Sequence, residues 1–283
     1  MTTVEPTEFR TGQRTQWNTA ATGWKKWSPL IDKGTRVVSE RLVELAEIGP
    51  GDTVLDVACG YGEPALTAAR RVGPDGQVVA TDISPEMLAF GRERAAADGL
   101  DNVRFVESGA ASLDFDEESF DAALSRWGII FEPEAEATAG RIRGFLKPGA
   151  KMAIASWGPI DRVPMFALTM GVIVPRLGVP PPPPGMPGPL SRPTPETLQA
   201  LLEGGGFSDV RVEEIEVSLE HASPEEFTAF MRDIAPPITA LMSDFPPDVQ
   251  EDAWAAITEA ARERGGDGSF TTSNLALVAV GSA

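Results

Sequence analysis

Short apolar runs alternate with helical segments along residues 37–157, and this alternation limits the possible folds more than any other feature of the sequence. The runs that predict strands are DTVLDVA, QVVATDI, VRFVES, FDAALSRW and KMAIASW. Helical segments separate most of them; SPEMLAFGRERAAADG, for example, has Ser84 as a predicted N-cap and stops at Gly99. Strands that alternate with helices of this length pair in parallel through right-handed crossovers. The sequence therefore predicts an α/β fold with a doubly wound, mostly parallel sheet.

Four regions are expected along the chain. They are an N-terminal lid segment (1–35), a Rossmann-like core (36–158), a proline-rich cap or loop insertion (159–195) and a C-terminal part of the sheet (196–283) with a helical cap insertion over 223–264. The lid segment contains three tryptophans, which a disordered tail rarely does, so we expect it to pack on the core. The run VPPPPPGMPGPLSRP in the third region excludes regular structure, and it fits a surface linker or a stiff loop beside a pocket.

Charge and cysteine content limit the partners and the compartment. The formal net charge is −18, and such a surface repels nucleic acid and anionic membranes, which proteins bind mainly through lysine and arginine. A small-molecule partner is therefore expected, with the chain acting as a monomer or a homodimer. The single cysteine, Cys59, excludes an internal disulfide and fits a cytoplasmic location. Neither an apolar run of about 18 residues nor a signal peptide is found, so membrane insertion is not expected.

Ligand-binding residues are expected where the strands end, because open α/β sheets bind ligands beyond the carboxyl ends of their strands. The first strand runs into VLDVACGYGEP, in which Gly60, Gly62 and Ala65 match the dinucleotide-binding pattern G-x-G-x-x-G/A. Two acids argue against a dinucleotide, since Asp56 and Glu63 would repel a pyrophosphate. A cationic ligand group, held by Asp56 directly or through water, suits this turn better.

A further acid ends the second strand. Asp82 lies 22 positions after Gly60, which is the placement of an acid that accepts hydrogen bonds from ribose hydroxyls. The alternative is a simple turn acid ahead of the helix cap at Ser84. On the ribose interpretation, the turn and Asp82 predict an adenosine ligand with a cationic tail and no phosphate. S-adenosylmethionine (SAM) meets that description.

The motifs as a set resemble those of a known family. VLDVACGYG resembles motif I of the class I SAM-dependent methyltransferases, ATDIS resembles their second-strand acid motif, and FDAALSRWGIIF and GFLKPGAKMAIASWGP resemble the later motifs. In style they are most similar to the ubiquinone- and menaquinone-biosynthesis type (methyltransferase domain 11/25-like). The resemblance covers roughly residues 35–160 clearly and the final strands loosely. It implies a seven-stranded Rossmann-like sheet whose last strand is antiparallel, with SAM as cofactor and S-adenosylhomocysteine as its product.

Position by position, the resemblance implies cofactor-binding roles for residues at four strand ends. The methionine part would lie at Asp56, Ala58, Cys59, Gly60 and Gly62, the ribose at Asp82, the adenine at Ile83, Met87, Gly109 and Ala110, and the remaining wall at Ser125 and Arg126. Two of these positions depart from the family's pattern. Ala58 stands where many relatives have glycine. Gly109 stands where relatives often have an acid on the adenine amino group, which removes one hydrogen bond worth about 1 kcal/mol.

The acceptor side is expected to be an apolar pocket. Its predicted wall consists of Trp17, Trp24, Trp127, Trp157 and Phe166, with core packing as the alternative. Trp27 would close over the site with the lid segment, and Arg126, Asp161 and Arg162 are the polar residues expected nearest to the acceptor. The acceptor is therefore expected to be small and mainly apolar, of a quinone-like or secondary-metabolite kind, and not a polyanion.

No catalytic base stands out in the sequence, and no metal site is expected. Methyl transfer needs a base only where the acceptor must lose a proton. The weak candidates are His221, Tyr61 and Arg126, and a solvated loop is the favoured interpretation of His221. The methylated atom, O, C or N, therefore stays open. Two alternatives also stay open: an NAD(P)-dependent oxidoreductase, which the acids near the turn disfavour, and a repurposed methyltransferase fold without catalysis.

Overall fold

The structure, a computed structural model, describes residues 6–180, 183 and 185–283. Residues 1–5 of the predicted lid segment and residues 181, 182 and 184 of the predicted proline-rich insertion lie outside the described residues. Within the described part, seven strands form one sheet. They are β1 (Thr53–Val57), β2 (Gln77–Asp82), β3 (Val103–Glu107), β4 (Phe120–Arg126), β5 (Leu146–Trp157), β6 (Ser208–His221) and β7 (Phe270–Ser282).

The strand order confirms the predicted fold class. The order across the sheet is β3-β2-β1-β4-β5-β7-β6. The first five strands pair in parallel, and the last strand, β7, is antiparallel to both β5 and β6. The chain starts at β1 and later returns to its other side with β4, so the strand order reverses there. A crevice therefore opens beyond the carboxyl ends of these two strands.

Helices cover both faces of the sheet. They are α1 (Pro6–Leu45), α2 (Ala65–Val72), α3 (Pro85–Ala97), α4 (Ala135–Phe145), α5 (Pro164–Ala167), α6 (Met170–Leu177), α7 (Pro195–Gly204), α8 (Pro224–Ile234), α9 (Pro236–Met242) and α10 (Pro247–Gly265). The predicted N-cap of α3 is confirmed, since the Ser84 hydroxyl accepts the Met87 N–H at 3.1 Å. Across the described residues, no helix is both long and apolar enough to cross a membrane.

Helix α1 joins two regions that the sequence analysis separated. It is 40 residues long, so the expected boundary between residues 35 and 36 falls inside one helix. The physical reason is an apolar stripe that includes Ile31, Val38 and Leu42, which continues across the boundary and stays buried against the sheet. The N-terminal half of α1 extends to α8, where the Trp24 indole N–H donates to the Ile234 carbonyl at 3.0 Å.

Two apolar clusters hold these layers together. One lies on the α1, α2 and α3 face of the sheet and also takes in α5, α6, α8 and α9. The other lies on the α4 and α7 face. The helices of the predicted cap therefore share a core with α1, and together they cover the crevice beyond the strand ends.

Candidate functional site

The crevice at the point where the strand order reverses contains a cavity, which we call the main cavity. The turns that follow β1, β2, β3 and β4 form one end of it. Residues from α1, α5, α6, α8 and α9 form the other end. The wall is mainly apolar with a few polar groups, which is the usual composition of a small-molecule site.

Asp82 places a carboxylate on the wall of the main cavity at the end of β2. Its Oδ2 accepts the Gly60 N–H at 2.8 Å, and its Oδ1 accepts the Ser84 N–H at 2.8 Å. These bonds fix the carboxylate and leave each oxygen able to accept a further hydrogen bond. Burial raises the pKa of Asp82 to about 6, although the amide donors favour its charged form. A fixed acceptor of this kind matches a diol donor such as a ribose.

The turn after β1 presents backbone to the main cavity. Gly60 has φ +53°, and a Cβ built on it would find no atom within 4 Å, so a ligand can lie directly on this peptide. Ala58 and Cys59 also line the cavity, whereas Gly62 does not. Ala58 has φ +57°, a left-handed conformation that costs a non-glycine residue about 1–2 kcal/mol. The departure from glycine at position 58 is therefore accommodated with some backbone strain.

Asp56 does not line the main cavity, which corrects the expectation that it holds a ligand directly. It is fully buried in β1, and neither carboxyl oxygen accepts a hydrogen bond from the described residues. Burial raises the pKa of Asp56 to about 8, although the nearby charge of Arg126 favours its charged form. A buried carboxyl without a partner calls for a water or an ion. Contact with a cationic ligand through water is the role that remains open to it.

An apolar slot lies beside Asp82 on the same wall. Ile83 and Met87 line it from the start of α3, and Gly109 and Ala110 line it after β3. These four residues are the ones that the resemblance assigns to adenine, and that assignment stays a prediction. Ser108 follows β3 at one of the strand ends where ligand-binding residues were expected, and it lines the cavity as well.

Ser125 lies away from the main cavity, contrary to expectation. Its hydroxyl donates to the Val57 carbonyl at 2.9 Å and accepts the Ile129 N–H at 3.0 Å. Ser125 therefore ties β1 to the turn after β4. The next residue, Arg126, does line the cavity. Neighbouring residues of a strand point to opposite faces, so a strand-end position does not by itself place a side chain in a site.

Aromatic side chains dominate the other end of the main cavity. The five expected there all line it: Trp17, Trp24, Trp127, Trp157 and Phe166. Trp127 stacks on Trp157 with ring centroids 4.3 Å apart and planes 7° apart. Phe166 meets Trp157 edge-on at 6.0 Å. The cavity therefore has a flat, rigid, apolar side, and its use by an acceptor stays a prediction.

Helical residues complete this end of the wall. They include Met165, Met170, Phe230, Met231, Ile234 and Ile238 from the cap helices, and Gln13, Ile31 and Thr35 from α1. The three α1 residues were not predicted to lie at the site. Periodicity identifies the buried face of a helix, but it does not show which part of that face borders a cavity.

Three residues expected near the acceptor lie elsewhere. Trp27 packs edge-on against Phe230, and its indole N–H donates to Asp233 at 2.8 Å, outside the wall. Arg162 forms an exposed ion pair with Glu214, and Asp161 is exposed beside it. Both follow β5 closely in sequence, but the short turn that carries them directs their side chains to solvent.

Tyr61 and Arg126 form a polar group on the wall. The Tyr61 hydroxyl donates to Asp32 at 2.9 Å and accepts from Arg126 at 3.3 Å. Burial raises the pKa of Tyr61 to about 12, so the hydroxyl keeps its proton at neutral pH. Arginine also stays protonated in proteins. Neither residue is therefore suited to act as a general base.

His221 is neither a solvated loop residue nor part of the main cavity. It ends β6 with no exposed surface, and its ring packs among Phe227, Phe230 and Phe270. Neither ring nitrogen has a hydrogen-bond partner among the described residues. Burial lowers the pKa of His221 to about 4. The solvated-loop interpretation was wrong because the aromatic cage comes from α8 and β7, which are distant in sequence.

The buried ring predicts a loss of stability in acid. Because the unfolded chain has a histidine pKa near 6.5 and the folded chain near 4, the unfolded state takes up the proton first as the pH falls. The contribution of the neutral His221 ring to the free energy of unfolding is fully present above about pH 6.5 and decreases as the pH falls towards about 4. By about pH 5 the free energy of unfolding should be lower by about 2 kcal/mol. Urea denaturation of the wild type and His221→Leu at about pH 7.5 and about pH 5 measures this loss. The variant should lose less stability than the wild type, and parallel losses in the two proteins would show that His221 is not the cause.

A family model described as a methyltransferase domain matches residues 54–149. This stretch is therefore similar to a methyltransferase domain. The matched stretch includes Gly60, Asp82 and Arg126 from the first end of the main cavity, and the predicted family resemblance is confirmed for this part of the chain.

Curated relatives match over a similar stretch. The 2-phytyl-1,4-naphthoquinone methyltransferase of Trichormus variabilis is 37% identical over 120 residues, which are 42% of this chain and 52% of that protein. The aklanonic acid methyltransferase of a Streptomyces species is 33% identical over 129 residues, 46% of this chain and 58% of that protein. An uncharacterised protein of Mycobacterium tuberculosis is 38% identical over 116 residues, 41% of each chain. The chain thus spans about half the length of the curated relatives that it matches, and they lend no support to an oxidoreductase.

Solved structures show the same fold at low sequence identity. The YcgJ protein of Bacillus subtilis matches with a TM-score of 0.55 and 18% identity, covering 86% of this chain and 97% of that one. A [4+2]-cyclase, SpnF, matches with a TM-score of 0.55 and 18% identity, covering 94% of this chain and 96% of that one. Since the second is named as a cyclase, the fold of the methyltransferase domain does not by itself fix the reaction.

Proposed function

We propose that this protein transfers a methyl group from SAM to a small, flat and mainly apolar acceptor. The observation that carries the proposal is the main cavity, in which the Gly60 turn and Asp82 at one end meet an aromatic wall at the other. Cofactor and acceptor would thus share one enclosed space at the strand ends, which favours alignment and excludes water. The methyltransferase domain over residues 54–149 supports the same conclusion.

SAM fits the residues at the first end of the cavity. Asp82 would accept its ribose hydroxyls, the open peptide at Gly60 would lie against its chain, and the slot of Ile83, Met87 and Ala110 would hold the adenine. Asp56 would act on the cationic amino group through water, since its carboxyl has no partner among the described residues. When bound, SAM supplies an electrophilic methyl group and leaves as S-adenosylhomocysteine.

The acceptor would lie against the stacked Trp127 and Trp157. A flat aromatic molecule suits this wall because ring faces offer large contact area without ordering a flexible chain. The relatives named above act, by their names, on a naphthoquinone and on aklanonic acid. We infer an acceptor in the same chemical range, with a quinone-like or secondary-metabolite origin. The methylated atom, O, C or N, is left to the experiment.

The remaining expectations belong to this proposal. A net charge of −18 argues against nucleic acid as the partner. We propose a cytoplasmic enzyme that works as a monomer or a homodimer on a small molecule. Size-exclusion chromatography with light scattering measures the oligomeric state.

The direct test is methyl transfer from isotope-labelled SAM to a panel of hydroxylated naphthoquinones and anthraquinones, followed by mass spectrometry. We expect at least one acceptor to gain a single methyl group, with formation of S-adenosylhomocysteine, and no gain with the Asp82→Ala variant. Binding of S-adenosylhomocysteine without transfer to any member of the panel would contradict the proposed acceptor range and would favour the repurposed fold.

A further inference from the structure

We propose that Arg126 binds an ionised oxygen of the acceptor, so that the protein selects acceptors carrying one acidic phenolic or enolic hydroxyl, in the anionic form. This inference rests on the proposed function, because it places the acceptor in the main cavity. It goes further by assigning the acceptor's charge and the residue that recognises it.

Arg126 carries a permanent charge at a nearly buried position. Its side chain is at the end of β4, lines the main cavity beside Trp127, and is only 7% exposed. A guanidinium does not lose its proton in proteins, so this position stays cationic at every relevant pH. A buried ion without an opposite charge in contact costs several kcal/mol. Burial opposes the charge, but Tyr61 and the nearby carboxyl groups of Glu63 and Asp32 raise the pKa of Arg126 above its usual range, and neither carboxyl group contacts the guanidinium.

The hydrogen bonds of Arg126 hold it in place without neutralising it. Its Nη1 donates to the hydroxyls of Thr35 (2.9 Å) and Ser39 (2.8 Å), and its Nη2 donates to the Tyr61 hydroxyl (3.3 Å). These bonds use three of the five N–H groups of a guanidinium. Within the described residues, no carboxylate forms an ion pair with it. Arg126 is thus oriented by neutral hydroxyls and keeps donors for a ligand.

The carboxyl groups around Arg126 form hydrogen bonds or ion pairs with residues other than Arg126, or are mostly neutral. The two oxygens of Asp32 accept from the Tyr61 hydroxyl and from Arg94, the latter at 2.6 Å. Glu63 accepts from Thr67 at 2.6 Å and lies 3.9 Å from Arg94. Burial raises the pKa of Asp56 to about 8, so its carboxyl is mostly neutral at pH 7. The carboxyl groups nearest to Arg126 are therefore bonded to other donors or mostly neutral, and the guanidinium stays without a carboxylate in contact.

An anionic acceptor also agrees with the finding that neither Tyr61 nor His221 can act as a general base in the main cavity. Tyr61 keeps its proton, and His221 lies outside the main cavity. An acidic phenol or enol loses its proton to solvent before it binds, and the guanidinium then favours the anion by a charge-assisted hydrogen bond. No protein group has to remove that proton. A single oxyanion paired with Arg126 also agrees with the acidic surface, which disfavours polyanions.

Calorimetric binding to the full chain saturated with S-adenosylhomocysteine tests the proposal. The probe is 2-hydroxy-1,4-naphthoquinone, which is ionised at neutral pH, and its neutral match is 2-methoxy-1,4-naphthoquinone. We expect the ionised compound to bind at least about 10-fold more tightly to the wild type. The preference should vanish in Arg126→Gln and persist in part in Arg126→Lys, which keeps the charge.

A matched control separates recognition from a structural role. Ser39→Ala removes a hydrogen bond that holds Arg126 but leaves the charge, so the preference should persist. Equal affinity of the two compounds for the wild type, weak binding of both, or a preference that survives in Arg126→Gln would each overturn the proposal. A wild type that does not bind S-adenosylhomocysteine would instead contradict the proposed function, and the same titration of the unliganded protein would still report on Arg126.

Discussion

Replacement of Asp82 by alanine is expected to weaken the binding of S-adenosylhomocysteine by at least about 100-fold. Two hydrogen bonds from the ribose to a charged acceptor are lost, each worth about 1.5–3 kcal/mol. The variant also releases the Gly60 N–H, which the Asp82 carboxylate accepts at 2.8 Å, so the turn beneath the ligand loses its anchor. Isothermal titration calorimetry measures the dissociation constants, and circular dichroism checks that the variant is folded.

Asp121→Asn is a matched control for this measurement. Asp121 also accepts a backbone amide, from Thr53 at 2.9 Å, but it lies near the amino end of β4, away from the main cavity. We expect its affinity for S-adenosylhomocysteine to equal that of the wild type. An Asp82→Ala variant that binds as tightly as Asp121→Asn would remove Asp82 from the cofactor site.

Replacement of Gly23 by alanine is expected to destabilise the protein by about 2 kcal/mol, within the range for overpacked sites. A Cβ at this position would lie 2.2 Å from the carbonyl oxygen of Asp233 and 2.7 Å from its carbonyl carbon. Backbone cannot rotate away as a flexible side chain can, so α1 must move from the end of α8. The hydrogen bond from Trp24 to Ile234 lies beside this contact and would be strained as well. Urea denaturation measures the free energy of unfolding.

Gly12→Ala in the same helix supplies the control. A Cβ there would meet no atom within 4 Å, so the substitution should stabilise α1 by about 0.5–1 kcal/mol through its helix propensity. The two variants carry the same chemical change, and their changes in the free energy of unfolding should have opposite signs. Equal effects on the free energy of unfolding would mean that the close contact between α1 and α8 is not present in solution.

Features that depend on local sequence could be predicted. The first five strands have short apolar runs, and their ends brought the Gly60 turn and Asp82 together as expected. The N-cap at Ser84 followed from a serine ahead of a proline and a helical run. The aromatic residues of the wall were also identified, because Trp127 and Trp157 end neighbouring parallel strands on one rim.

Features that depend on distant contacts could not be predicted. His221 looked solvated because its cage is built by residues of α8 and β7, which no local pattern links to it. The contacts of Arg126 with Thr35 and Ser39 join β4 to α1 across about 90 positions, so no pattern around Arg126 indicated its surroundings. One feature of the sequence does indicate a buried polar partner for α1, since Thr35 and Ser39 are polar residues within its apolar stripe.

Titration of the purified protein with S-adenosylhomocysteine and, separately, with NAD shows directly whether the main cavity binds a methyl donor. We expect micromolar binding of S-adenosylhomocysteine and no binding of NAD, because the carboxyl groups of Glu63 and Asp82 line the cavity beside the turn after β1 and disfavour a pyrophosphate. Tighter binding of NAD, or no binding of S-adenosylhomocysteine, would contradict the assignment of the main cavity to a methyl donor and its acceptor.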